Sequence, residues 1–238
     1  MKWDELVRPL LEEPVREPGP IVQPRVRWAL GLFAGCLAAA AARPAAIAPM
    51  ALQAAAIVDS MQVESRWPAG VHVDWETGVP DGRPERGIGK HTHCSAYAAA
   101  AAKRLDIYLL RPPEHPQMLL ANAQVEWLSG AGARQGWKRV ENAVEAQRAA
   151  NQGLFVLAAY RNHNDEKPGH IAIVRPSDKS DAAIESEGPQ ITQAGGTNYR
   201  STTLAQGFAG HPAAWKGREV QFYAHTIDAG MLASPVQR

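Results

Sequence analysis

The stretch whose reading decides the fold is Gly89-Lys90-His91-Thr92-His93-Cys94-Ser95-Ala96-Tyr97-Ala98-Ala99-Ala100-Ala101-Ala102-Lys103-Arg104-Leu105. The residues before Cys94, Arg86-Gly87-Ile88-Gly89-Lys90, are loop-like. From Cys94 onward alanine, the strongest helix former, dominates. This predicts a helix over 94–110, stopped by Arg111-Pro112-Pro113. Cys94 then stands in the first helical turn. Unpaired N–H groups and the positive end of the helix dipole favour a thiolate there. The alternative is a buried cysteine acting as a small hydrophobe.

A second signal is Lys167-Pro168-Gly169-His170-Ile171-Ala172-Ile173-Val174. Pro and Gly mark a turn, and the β-branched run marks a strand. His170 opens that strand, where its side chain is expected to reach a neighbouring helix start. A nucleophilic cysteine needs a base, usually a histidine, supplied by the fold and not by sequence proximity. The competing reading of His170 is a strand-end histidine satisfied by the backbone.

The order of motifs resembles a known group. A loop cysteine at a helix start is followed by Gly136-Trp137. Next comes the helix-to-strand run Ala149-Ala150-Asn151-Gln152-Gly153-Leu154-Phe155-Val156-Leu157-Ala158, and then Gly169-His170-Ile171-Ala172. This is similar to the papain-like CHAP and NlpC-type cysteine amidases and endopeptidases of peptidoglycan, over roughly residues 60–225. The resemblance implies an α+β, papain-like fold, with N-terminal helices packed on a small antiparallel β-sheet. It also implies a cysteine hydrolase cutting an amide bond in a peptidoglycan peptide. It suggests a housekeeping wall enzyme or a toxin delivered into rival cells, the latter needing a cognate inhibitor protein.

A third group must hold the tautomer of the base. If a strand over 190–195 pairs antiparallel with 170–174, its end residues lie beside His170. Ile191 and Gln193 share a face by the period-2 rule. Gln193 is the first choice, with Asn198 and Glu187 as alternatives. CHAP domains commonly carry an acid or an asparagine on this strand, so glutamine is a departure. The long loop 66–90 leads into Cys94, and such loops are often functional. Trp67 and Trp75 within it either line a groove or anchor the loop. Trp75, His93 and Asn198 are the expected substrate contacts.

A zinc set of His91, His93, Cys94 and His170 competes on residue type. His91 and His93 are spaced i, i+2, which suits only an extended loop. No glutamate follows where a metalloprotease base stands. Neither a metal nor another cofactor is expected. A catalytically silent wall-binding or interaction protein of the same fold is the other alternative.

Around this centre the chain reads as one domain with appendages. Residues 1–24 form a polar arm with Pro9, Pro14, Pro18, Pro20 and Pro24, expected to be disordered. Residues 25–48 form an apolar segment flanked by Arg25 and Arg27. It is too short to span a bilayer and resembles the core of a secretory signal. Phe33-Ala34-Gly35-Cys36 resembles a lipoprotein box, with membrane anchoring at Cys36. The alternative for this segment is an Ala-rich helix packed on the domain. An export signal places the protein in the periplasm or cell envelope. Residues 49–228 are the hydrolase domain and 229–238 a tail. Helices are predicted over 49–65, 115–128 and 139–152, and strands over 154–160, 170–174, 190–195 and 219–225. The formal net charge is +1, with no basic stripe, which argues against nucleic-acid binding.

Overall fold

The run Phe155–Tyr160 is apolar at every position, as a strand covered on both faces must be. In the computed structural model, which describes residues 46–84 and 91–233, it lies inside a mixed α+β fold. Among the described residues there are eight α-helices and one six-stranded antiparallel sheet. The helices are α1 (Pro49–Asp59), α2 (Cys94–Arg104), α3 (Leu120–Ser129), α4 (Ala143–Asn151), α5 (Asp181–Glu187), α6 (Leu204–Gly207), α7 (Pro212–Lys216) and α8 (Ala229–Ala233). The strands are β1 (Lys138–Val140), β2 (Phe155–Tyr160), β3 (His170–Val174), β4 (Gln190–Ala194), β5 (Asn198–Thr203) and β6 (Gln221–His225). Their order in the sheet is β1-β6-β2-β3-β4-β5.

Period-2 alternation sends side chains of β2 and β3 to two separate cores. Phe155, Leu157, Ala159, Ile171 and Ile173 join α1, α2 and α3 in the first. Val156, Ala158, Tyr160, Ala172 and Val174 join α4, α6 and α7 in the second. The sheet is therefore covered on both faces. The sequence reading, with helices only on the N-terminal side, missed the second layer. Its helix α4 falls within the expected helix over 139–152, but α6 and α7 are short and carry too few turns for a periodic signal.

Helix α2 runs through the middle of the first layer. All nine residues Cys94–Ala102 are buried, so the helix has no solvent face until Lys103 and Arg104 at its end. Alanine suits such a position because only a small side chain lets several elements approach at once. Gln124 of α3 fastens this packing, donating to the carbonyls of Ser95 and Leu110 at 3.0 and 2.9 Å. Asp59 at the end of α1 fastens the layer to the sheet by ion pairs with Arg175 at 2.7 Å and Arg200 at 2.8 Å.

Several boundaries differ from the sequence expectation. Helix α2 ends at Arg104, and α1 ends at Asp59, before a turn in which Gln62 takes a positive φ. Residues 138–140 form β1 at the sheet edge, and Asn142 caps the shorter helix α4 by accepting from Glu145 N–H. Gly153 follows α4 at φ 95°, the C-terminal glycine role expected of it. Edge strand β5 is Asn-Tyr-Arg-Ser-Thr-Thr, which lacks an apolar alternation to announce it. Residues 229–233, read as tail, are helical, and Leu232 packs on the first core. The arm 1–24, residues 25–45 of the apolar segment and Cys36 lie outside the described residues. No helix among the described residues is long and apolar enough to cross a membrane.

Two outcomes follow from this packing. Ala99→Leu, in the fully buried helix, is expected to cost about 1–3 kcal/mol by overpacking, read from denaturant unfolding. The Asp59 carboxyl sits below its usual range. Burial opposes the ionised form, but hydrogen bonds and charge from Arg175 and Arg200 outweigh it. A lowered native pKa gives stability that is present above the unfolded value of about 3.9 and lost as pH falls through the native one. Asp59→Asn should therefore lower stability at neutral pH by about 3 kcal/mol. The difference from the parent should shrink at pH values below the carboxylate range.

Candidate active site

Cys94 is the first residue of α2, preceded by His93 at the N-cap position. The His93 ring is held by a 2.9 Å bond from Nε2 to the Val71 carbonyl, which ties the start of α2 to the loop before it. The Cys94 side chain is not a free surface thiol, since the residue is only 4% exposed. The N–H groups of Ile171, Ser95 and Cys94 and the Thr92 side chain lie around its sulfur and favour its ionised form.

The Ile171 contact explains how α2 finds the sheet. Strand β4 pairs with β3 at Ile173↔Thr192 and Val174↔Ile191, in the C-terminal half of β3. At its N-terminal end, the sulfur of Cys94 meets the Ile171 N–H. The thiol thus sits beside the main chain of the residue that follows His170.

His170 opens β3 and is 3% exposed. Gly169 makes this position attainable. A Cβ there would collide with the Tyr160 carbonyl and lie 2.6 Å from Asn122 Oδ1. The His170 Nε2 lies 2.7 Å from Gln193 Oε1. Gln193 is itself oriented, because its Nε2 donates to the Thr197 carbonyl at 3.2 Å. With the amide nitrogen engaged there, Oε1 is the acceptor and His170 Nε2 carries the proton. Nδ1 then holds the lone pair and is the basic atom of the ring. Among the described residues Nδ1 has no hydrogen-bond partner.

The imidazole lies on the face opposite α2. It meets Phe208 edge-on at 4.6 Å between ring centroids and stacks on His211 at 5.4 Å with an 18° interplanar angle. The neighbouring helices of its side chain are therefore α6 and α7, where the sequence reading expected α2. Thiol and imidazole reach the same end of β3 from the two sides of the sheet. No hydrogen bond joins them among the described residues.

Burial governs both protonation states. It pushes the Cys94 thiol up, and the donors around the sulfur oppose it without winning. It pushes His170 down, against the bond to Gln193. The resting pair is thus a neutral thiol and a neutral imidazole. This corrects the thiolate expected from the helix N-terminus: the dipole is present, but desolvation is larger.

The other expected residues divide. Trp75 and His93 line a cleft of about 550 Å³, walled also by His72, Asp81, Thr92 and Met118. Thr92 is both a wall of this cleft and a neighbour of the Cys94 sulfur that favours its ionised form. Asn198 is elsewhere. Its amide donates to the carbonyls of Val63, Arg66 and Trp67, and so clamps the turn after α1. Glu187, the last residue of α5, pairs with Lys179 ahead of that helix. Trp67 is fully buried and meets Tyr97 edge-on at 5.1 Å, the anchor reading of this residue. No three His, Cys, Asp or Glu side chains among the described residues are grouped to hold a metal ion.

Sequence reasoning missed Phe208, His211, Asn122 and the Thr92 hydroxyl. His211-Pro212 carries only a helix-start signal, and nothing in its spacing points to His170. The sequence matches no model of a known protein family, and comparison with curated proteins finds no match either.

The raised thiol gives a direct test. Iodoacetamide labelling of Cys94 in the folded protein should be slow at neutral pH. It should climb with a midpoint above the 9.0 of an ordinary thiol. Fast labelling at pH 7 would show that the resting thiol is already ionised.

Proposed function

We propose that the protein is a cysteine hydrolase of papain-like type, with Cys94 as nucleophile and His170 as base. The observation that carries this reading is the junction at the start of β3. The Cys94 sulfur lies beside the Ile171 N–H, while the adjacent His170 is held by Gln193 with its basic Nδ1 unpaired. A histidine kept neutral, with its tautomer set by an oriented amide, is the form that can accept a proton.

In the reaction His170 Nδ1 takes the thiol proton as Sγ attacks an amide carbonyl. Catalytic contacts are often long in a resting site and tighten in the complex. The first-turn N–H groups of α2, those of Cys94 and Ser95, supply donors for the developing oxyanion. The C–N bond breaks, and the amine leaves with the proton from His170. Water, deprotonated by the same imidazole, then hydrolyses the thioester. The cleft ending at Thr92 is the approach for substrate, with Trp75 and His93 in its wall.

The proposed substrate is a peptidoglycan peptide, and the proposed site of action is the periplasm or cell envelope. This rests on the motif order resembling the CHAP and NlpC-type enzymes. A delivered toxin of this kind would have an inhibitor protein as partner.

The second reading is a catalytically silent binding domain of the same fold. The buried, protonated thiol favours it. Digestion of purified sacculi followed by mass analysis separates the two. The hydrolase reading expects new peptide fragments. Cys94→Ala should abolish them with the fold intact, and His170→Ala should lower the rate by about 10²–10⁴-fold. Undiminished cleavage by Cys94→Ala would end the thiol mechanism, and no cleavage by the parent protein would favour the silent domain.

A further inference from the structure

The environment of His170 on the second face of the sheet is not accounted for by the cysteine chemistry. Its ring is bounded by Gln193 at Nε2, by the edge of Phe208 and by the face of His211. His211 is fixed in turn by its backbone. Its N–H donates to the Phe208 carbonyl at 2.8 Å, and its own carbonyl accepts from Ala214 N–H at 2.9 Å at the start of α7. Its ring also leans on Tyr160, at 5.5 Å between centroids, and Tyr160 pairs with His170 across β2 and β3. Phe208 and His211 thus form a three-residue step that presents two rings to one imidazole.

We propose that His211 is a positioning residue for His170: its near-parallel stack fixes the imidazole plane and keeps water from that face. This rests on the cysteine hydrolase reading for its functional meaning, while the stack itself stands on the geometry. The Gln193 bond fixes one atom of the ring but leaves it free to pivot about that contact. A face-on neighbour removes the pivot, and Phe208 at the edge prevents sliding. His211 can do this because it carries no charge at neutral pH. Burial, and then repulsion from His170, hold its pKa down to about 4. A charged ring in this place would oppose the imidazolium that His170 must become during turnover.

The titratable groups around the pair are few. On β2 lies Tyr160, whose hydroxyl burial and the Glu219 charge keep neutral. Beyond it His163 pairs with Glu219 at 2.7 Å. On β4 the facing group is the uncharged Gln193, and from α2 the nearest titratable group at this end of β3 is Cys94. None of these supplies an ion pair to His170. Burial, against the bond to Gln193, therefore decides its protonation.

The test uses the full chain and two variants, His211→Phe and His211→Ala. Phenylalanine keeps an uncharged ring face, and alanine removes it. Nitrogen-detected NMR of His170 reads its titration midpoint and its tautomer without reference to any substrate. In His211→Ala the midpoint should move up toward that of a solvated histidine, and the Nε2–H tautomer should give way to a mixture. His211→Phe should keep both as in the parent. With a cleavable substrate, the acid limb of the rate profile should move with the midpoint in His211→Ala and stay in place in His211→Phe. Parent-like His170 signals in His211→Ala would overturn the proposal, as would an equal shift in both variants. If the NMR shifts appear as expected while the parent cleaves nothing, the positioning role stands and the hydrolase reading fails. Circular dichroism and denaturant unfolding confirm that each variant is folded before either readout is taken.

Discussion

Burial of α2 on every side is the constraint on which the arrangement depends. A helix surrounded by a sheet face, two helices and a loop must expose small side chains all round, and Ala96 to Ala102 meet that requirement with Tyr97 as the one large exception. Tyr97 faces Trp67, the buried anchor of the loop that leads toward Cys94. The close approach carries the first residue of α2 to the main chain of β3. There the sulfur lies beside the Ile171 N–H. A bulkier helix would stand off the sheet and leave the thiol short of that contact. The poly-alanine run and the position of Cys94 are thus parts of one packing solution.

The same burial sets the chemistry. A helix N-terminus stabilises a thiolate when solvent or a cation shares the load, but here the sulfur lies inside the core. The donors around it do not offset its desolvation. His170 is subject to the same balance in the opposite direction, so both groups rest neutral. Under the proposed mechanism, proton transfer would then accompany attack. The orienting work falls on uncharged neighbours. Gln193 sets the tautomer through an amide whose own nitrogen is committed to Thr197, and Phe208 and His211 bound the ring.

On the outside of this centre, polar contacts serve architecture. Asp59 joins α1 to Arg175 and Arg200 of the sheet, and Asn198 gathers three carbonyls of the turn after α1. Both draw the N-terminal layer onto the far strands β4 and β5. An asparagine beside the strands of the candidate site reads in sequence like a substrate contact. Here its amide closes a turn, because the turn's carbonyls have no strand or helix to pair with.

The amino-acid sequence by itself determined the elements with strong local signals. The alanine run after Cys94, the unbroken apolar strand 155–160, the Pro-Gly turn before His170 and Gly153 after α4 each act through near neighbours. Antiparallel pairing of 170–174 with 190–195 entered as a condition that made Gln193 the first choice beside His170, with Asn198 and Glu187 open; the structure supplies that pairing and the Gln193 bond. What only the tertiary structure decided concerns faces and solvation. Whether His170 points toward α2 or away from it depends on which parity of β3 the two cores claim, a property of the whole sheet. The partners Phe208 and His211 come from helices too short to show a period. The neutral state of Cys94 depends on how completely distant segments cover it. Burial is a sum over the whole fold, so no stretch around Cys94 contains it.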